Sequence, residues 1–136
     1  MHRTKHKGDR GVLKAQLDLF DQGFTILNPL TEHAPFDLVA YKEGEFYRIQ
    51  VKHRRLDRSG KLDVKFSSCR ADRHGIHTVP INKQEVDLFC VYCPDTDECY
   101  YLNPDEFRSS VSLRVEAPRN GQTKGIRLAS EFRRVP

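Results

Sequence analysis

"PFDLVAYKEGEFYRIQVKHRR", residues 35–55, is the stretch that decides the fold. Two largely apolar runs flank Glu43-Gly44, and glycine suits the positive φ of a two-residue hairpin turn. With that turn, Lys42 pairs with Glu45. The same register sets Ala40 opposite Tyr47, Leu38 opposite Ile49 and Phe36 opposite Val51. One face is then apolar apart from the Tyr47 hydroxyl, and it should lie on a helix. A slip of one residue would mix the two faces, so the pattern itself supports this register. The other face sets Asp37 opposite Gln50, with Lys52 two residues further on, beside Val39 and Tyr41. Cross-strand neighbours have Cβ atoms about 5 Å apart. The register therefore gathers Asp37, Gln50 and Lys52 at one spot.

Two readings suit such a spot. Half-exposed polar faces are common on antiparallel pairs. A carboxylate and an amide oxygen are also hard donors of the kind Mg²⁺ takes, and the Val51 carbonyl could add a third. A lysine beside them can orient an attacking water and stabilise charge on a phosphate. Arg54, Arg55, Arg58, Lys61 and Lys65 follow directly. They form either a solvated charged turn or a surface for a polyanion.

Working outward, "GDRGVLKAQLDLFDQG" (8–23) predicts the first helix. Leu13, Leu17 and Phe20 recur at i, i+4 and i+7, with Val12, Gln16 and Leu19 alongside, and Gly23 supplies the stop. Residues 1–7 are basic and read as a flexible lead. Strands are expected at 24–28, 36–42, 46–53, 61–70, 86–93 and 99–103, with a last one near 111–117. Residues 71–85 read as a long polar connection, 104–110 as a short helix and 118–125 as a loop. The order implies a single α/β (α+β) domain over residues 1–136, built on a mixed central sheet flanked by helices.

The 136 residues suffice for one hydrophobic core. Hydrophobic content of 38% beside 31% charged residues favours a folded, well-solvated domain over disorder. The net charge of +4 is compatible with nucleic acid without requiring it. No apolar run approaches the roughly 20 residues that span a bilayer, and the basic N-terminus has no following hydrophobic segment. An intracellular, cytoplasmic protein with no membrane partner is expected. Cys90 and Cys93 sit on a strand, where their odd offset sends them to opposite faces. Cys69, His74 and His77 form a loose cluster. Neither group has good zinc spacing.

A proline, Asp37, a hairpin and then "QVK" resemble the PD-(D/E)XK nuclease superfamily, the restriction-endonuclease-like fold. More narrowly, the chain resembles the small endonucleases of group I introns, in which glutamine takes the second acidic position. The "KG" with its amphipathic helix, "LNPL", "PFDLVAY", "FYRIQVKHRR" and "VDLFCVYCPDTDECYYLNPDEF" extend the likeness over most of the chain. The resemblance implies Asp37 and Gln50 as metal-binding residues, with the Val51 carbonyl, and Lys52 as the catalytic lysine. It implies Mg²⁺, replaceable by Mn²⁺, and hydrolysis of DNA phosphodiesters at an intron-homing site. It also implies double-stranded DNA as partner, contacted through Arg54, Arg55, Arg58, Lys61 and Lys65. One domain has one site, so cutting both strands implies a homodimer or higher homo-oligomer. The family often carries a glutamate on the first helix, where this chain has Val12; Asp9 lies one turn earlier. Alternatives are a catalytically impaired DNA-binding protein of the same fold, a nuclease like the Holliday junction resolvases, and a protein-interaction domain.

Overall fold

The computed structural model describes residues 3–116, 121 and 125–136, with backbone alone at 3–4 and 68–72. Its elements are α1 (Arg3–Asp21), β1 (Thr25–Leu27), β2 (Leu38–Lys42), β3 (Glu45–His53), β4 (Lys61–Lys65), β5 (Ser67–Asp72), β6 (Gly75–Pro80), β7 (Leu88–Cys93), β8 (Glu98–Leu102) and β9 (Ser110–Arg114). One-turn 3-10 helices lie at Pro104–Glu106 and Ala129–Phe132. Five strands form the central sheet in the order β1-β2-β3-β7-β8, with β3–β7 its one parallel pair. The mixed α/β core expected from the sequence is present. Among the described residues a single α-helix flanks it, and the opposite face is covered by the β4–β9 pair.

The hairpin forms in the expected register, from Lys42↔Glu45 to Leu38↔Ile49. Glu43 and Gly44 both have positive φ, 52° and 87°. Such paired positive angles match the right-handed twist of the strands. The ladder stops at Leu38, however, so the expected Phe36–Val51 pair is absent. The Val51 N–H donates instead to the Asp37 carboxylate at 2.7 Å.

The helix begins at Arg3, earlier than its periodicity suggested, and it buries a different face. Leu13, Leu17 and Phe20 are 65%, 58% and 70% exposed, whereas Ala15 and Leu19 are fully buried and Val12 packs partly against them. The reason is close approach. A Cβ on Gly11 would lie 3.5 Å from Val51 Cγ1 and 3.7 Å from His53 Cβ. Small residues thus bring the helix axis down onto β3, which a stripe of large side chains would prevent. Gly23, at φ 93°, ends the helix as expected. Its N–H bonds to Phe20 O and that of Phe24 to Leu19 O, both at 3.0 Å, the paired closure of a left-handed C-terminus.

Two cores result. Ala15, Leu19, Leu38, Ile49, Cys90 and Tyr101 pack between helix and sheet. Leu62, Phe66, Phe89, Val91, Cys93 and Leu113 pack between the two sheets. Cys90 and Cys93 face opposite cores, as the strand offset required. All six residues of β7 are buried, so it can alternate no polar face.

The expected strand 61–70 breaks at Phe66 into β4, which pairs with β9, and β5, which pairs with β6. Phe66 is held there by stacking on Phe89 and Phe107, with ring centroids 5.0 and 5.9 Å apart. The expected connection 71–85 therefore contains a strand, and the expected helix at 104–110 is one 3-10 turn. The loop expected at 118–125 lies mostly outside the described residues, as do residues 1–2. The last strand is present as β9.

Candidate active site

Asp37, one residue before β2, donates its backbone N–H to Ile49 O at 2.9 Å. Its carboxylate caps the Val51 N–H. Within a strand, N–H and C=O of one residue point to the same edge. The Val51 carbonyl therefore faces the edge where β2 has already ended, beside the Asp37 side chain. Burial around the carboxyl pushes the Asp37 pKa up; the Val51 N–H and the nearby Lys52 charge oppose this only in part. Asp37 is thus a crowded carboxylate short of positive charge.

Gln50 and Lys52 project from β3 on the face away from α1, opposite Phe89 and Val91 of β7. Lys52 is the one charged residue among the buried described residues, 9% exposed. Its ammonium donates to Ser67 O at 2.6 Å and lies 5.4 Å from the centroid of the Phe89 ring. Two adjoining cavities open here. One, of about 880 Å³, is lined by Lys7, Gln50, Val51, Lys52, Asp63 and Lys65, among others. The second, of about 490 Å³, is lined by Asp37, Gln50, Glu85 and Pro80, among others. Gln50 forms the shared wall. Gln50 lines both the cavity of Asp37 and that of Lys52, and the Lys52 charge acts on Asp37.

The basic segment divides. Arg54 and Lys65 line the larger cavity. Arg55 turns away to pair with Asp95 at 3.1 Å. Arg58 is exposed and Lys61 half-buried, and neither lines a cavity described here. The Asp57 carboxylate accepts from the Ser59 and Lys61 N–H groups, fixing this turn.

Four residues with chemistry to offer escaped the sequence reading. Lys7 reaches the larger cavity because the helix extends back to Arg3. Asp63 alternates with the buried Leu62 and Val64 and so faces outward into the same cavity. Its alternation was legible; its proximity to Lys52 was not. Glu85 enters the smaller cavity from the β6–β7 connection. His53 lines the larger one, and its pKa is lowered by burial and by the charges of Lys7, Arg10 and Arg54. The cationic lining of Lys7, Lys52, Arg54 and Lys65 outweighs the single Asp63 carboxylate there. Val12 packs into the helix-side core and lines neither cavity, nor does the exposed Asp9. The helix meets the site through Lys7 and Gly8.

The donor set suits a hard cation. It offers the Asp37 carboxylate, the Gln50 amide oxygen and the Val51 carbonyl, all oxygen, and Mg²⁺ needs few protein ligands. Among the described residues no group of three or more His, Cys, Asp or Glu is placed to hold a metal ion by itself. The Cys69 side chain lies outside the described set. No described helix is long and apolar enough to cross a membrane.

Comparison with known proteins bears on the fold and the family. No curated protein matches the chain. A solved structure of a bacterial homing endonuclease, I-Ssp6803I, superposes with a TM-score of 0.77 at 24% identity. The match covers 97% of this chain and 89% of that one, and at this identity it speaks for the fold. The PD-(D/E)XK endonuclease family matches residues 2–135, nearly the whole sequence, and the chain belongs to that family.

Proposed function

We propose that this protein is a Mg²⁺-dependent endonuclease that hydrolyses phosphodiester bonds of double-stranded DNA at a specific, intron-homing site, in the cytoplasm. The observation carrying this reading is the under-compensated Asp37 carboxylate beside Gln50, with a buried lysine at the head of a positively charged cavity. When bound by Asp37, Gln50 and the Val51 carbonyl, Mg²⁺ supplies Lewis-acid charge to the phosphoryl group under attack; Mn²⁺ can replace it. The chain's own groups do the rest. The Val51 N–H fixes the Asp37 carboxylate. The Ser67 carbonyl and the Phe89 ring aim the Lys52 ammonium. From there it donates to a phosphoryl oxygen as negative charge builds. Lys7, Arg54 and Lys65 hold neighbouring phosphates. Cutting both strands calls for two such sites, hence a symmetric homodimer or higher homo-oligomer.

The test is incubation of the protein and its Lys52→Ala variant with long duplex DNA, with and without Mg²⁺. Discrete Mg²⁺-dependent products from the parent alone support the reading. Salt-sensitive DNA binding with no cleavage by either protein refutes it. That outcome would favour the second reading, a silent DNA-binding module, which Val12 at the usual glutamate position recommends. A parent that cuts four-way junctions in preference to duplex would point to a resolvase. Sedimentation velocity reads the assembly state directly.

A further inference from the structure

None of the described side chains of the β5–β6 hairpin belongs to either core. Its two strands pair over six positions, from Ser67↔Pro80 to Asp72↔Gly75, and with no other strand among the described residues. Arg73, His74, Ile76, His77 and Thr78 are all exposed, Ile76 by 78%. The root, in contrast, is clamped. Phe66 is buried in its aromatic stack, and the Ile81 N–H donates to Phe66 O at 3.3 Å, joining the ribbon's two ends. That root also belongs to the active site. Ser67 O accepts from the Lys52 ammonium, Ser67 and Thr78 line the larger cavity, and Val79 and Pro80 line the smaller.

We propose that this ribbon enters the major groove of duplex DNA and is the element that reads its sequence, through Arg73 at its tip and Ile76 and Thr78, which share one face of β6. The inference rests on the nuclease reading above and deepens it. Six paired residues extend roughly 17 Å, and a major groove about 12 Å wide admits a two-stranded ribbon. A phosphate held at Lys52 lies at the ribbon root, so the groove beside that phosphate lies along the ribbon. The exposed residues are the right chemistry. Arginine donates to guanine acceptors, threonine bonds either way, and an aliphatic side chain meets a thymine methyl. Among the ribbon's described side chains one exposed isoleucine is the sole large apolar group, too little for a protein-binding face. Lysines and arginines around the cleft hold phosphates and carry no sequence information. A site-specific enzyme therefore needs a second element, and the ribbon is placed to be it.

The test uses a duplex library with a randomised 20-base-pair core. The parent, Arg73→Ala, Ile76→Ala, Thr78→Val and the cleft variant Lys65→Ala are each taken through binding selection and sequencing. Thermal unfolding of every variant checks that it remains folded; the ribbon changes lie on exposed side chains. The parent should enrich one motif. Each ribbon variant should lose discrimination at particular positions of it, by roughly 5- to 150-fold per contacted base pair. Lys65→Ala should weaken binding to all sequences and leave the motif intact. Folded ribbon variants that enrich the parental motif unchanged would overturn the inference, as would a parent that binds duplex without enriching any motif. A parent that binds no duplex at all would instead bring down the nuclease reading beneath it.

Discussion

Replacing Lys52 by methionine separates catalysis from stability. The change keeps the aliphatic stem and removes the ammonium. The folded protein loses a charge-assisted hydrogen bond to Ser67 O, worth about 1.5–3 kcal/mol. It also loses the contact with the Phe89 ring, worth about 0.5–2 kcal/mol. Against this stands the cost of holding an ammonium out of water at 9% exposure, several kcal/mol for a buried ion. These opposing terms are similar in size, so the net change in unfolding free energy should be within about 1.5 kcal/mol. Activity should respond very differently. Removing one positioned donor from a developing oxyanion costs about 10²–10³ in rate. Urea denaturation gives the first quantity, and the rate of Mg²⁺-dependent plasmid linearisation the second. A variant destabilised by more than about 3 kcal/mol would mean the lysine is there to satisfy Ser67, because the desolvation cost would then be far smaller than reasoned. A stable variant that cuts at the parental rate would remove Lys52 from the mechanism.

The other predictions concern charge and packing. Because burial raises the Asp37 pKa, its contribution to stability is full below the ordinary aspartate range and is lost as pH rises through the raised folded value. Asp37→Asn should therefore raise the metal-free unfolding midpoint at neutral pH, flatten the profile across that window, and abolish Mg²⁺-induced stabilisation. A variant that keeps the parental Mg²⁺ shift would exclude Asp37 as a ligand. His53 behaves in the opposite sense: its lowered pKa makes stability fall as pH drops from its ordinary value through the folded one. Lys7→Ala should move the His53 NMR titration upward, and an unchanged titration would show that Lys7 does not contribute to the cleft field. Leu19→Ala should cost about 2–5 kcal/mol in urea unfolding, whereas Leu17→Ala should stay within about 0.5 kcal/mol. Equal losses would return the large stripe to the core.

The hairpin was legible because three local signals agreed: a glycine turn, period-two alternation and a wholly apolar face. The helix face was not. Leu13, Leu17, Phe20 and Val12, Ala15, Leu19 both recur at helical spacing, and side-chain size favours the first set. What decides between them is how near the helix comes to β3, and Gly11 fixes that distance only once Val51 and His53 lie under it. The fate of 61–85 was hidden for a similar reason. Phe66 continues the alternation of Leu62 and Val64, so nothing local reveals that it ends one sheet and roots another. Its stacking partner Phe89 lies in a strand more than twenty residues away.

Asp37, Gln50 and Lys52 were found as a set because one strand pair carries them. Asp63 and Glu85 were not, since Asp63 comes from β4 and Glu85 from the β6–β7 connection. A site whose hairpin supplies one carboxylate draws further negative charge from elsewhere. The helix cannot supply the usual acid at Val12, which packs in the core. Nor does the site need strong cation binding before DNA arrives. On the proposed reading, a scissile phosphate near Asp37 and Lys52 would add negative charge from the substrate side, as phosphates commonly do at Mg²⁺ sites. The raised pKa of Asp37 fits this order of events, since the carboxylate is poorly compensated until a cation comes. Cation affinity should therefore be weak in the free protein and rise when duplex is bound, and isothermal titration with and without a Lys52→Met complex would measure that linkage. A cation that binds equally tightly with and without DNA would show that the chain itself completes the site, with Asp63 and Glu85 the first residues to examine.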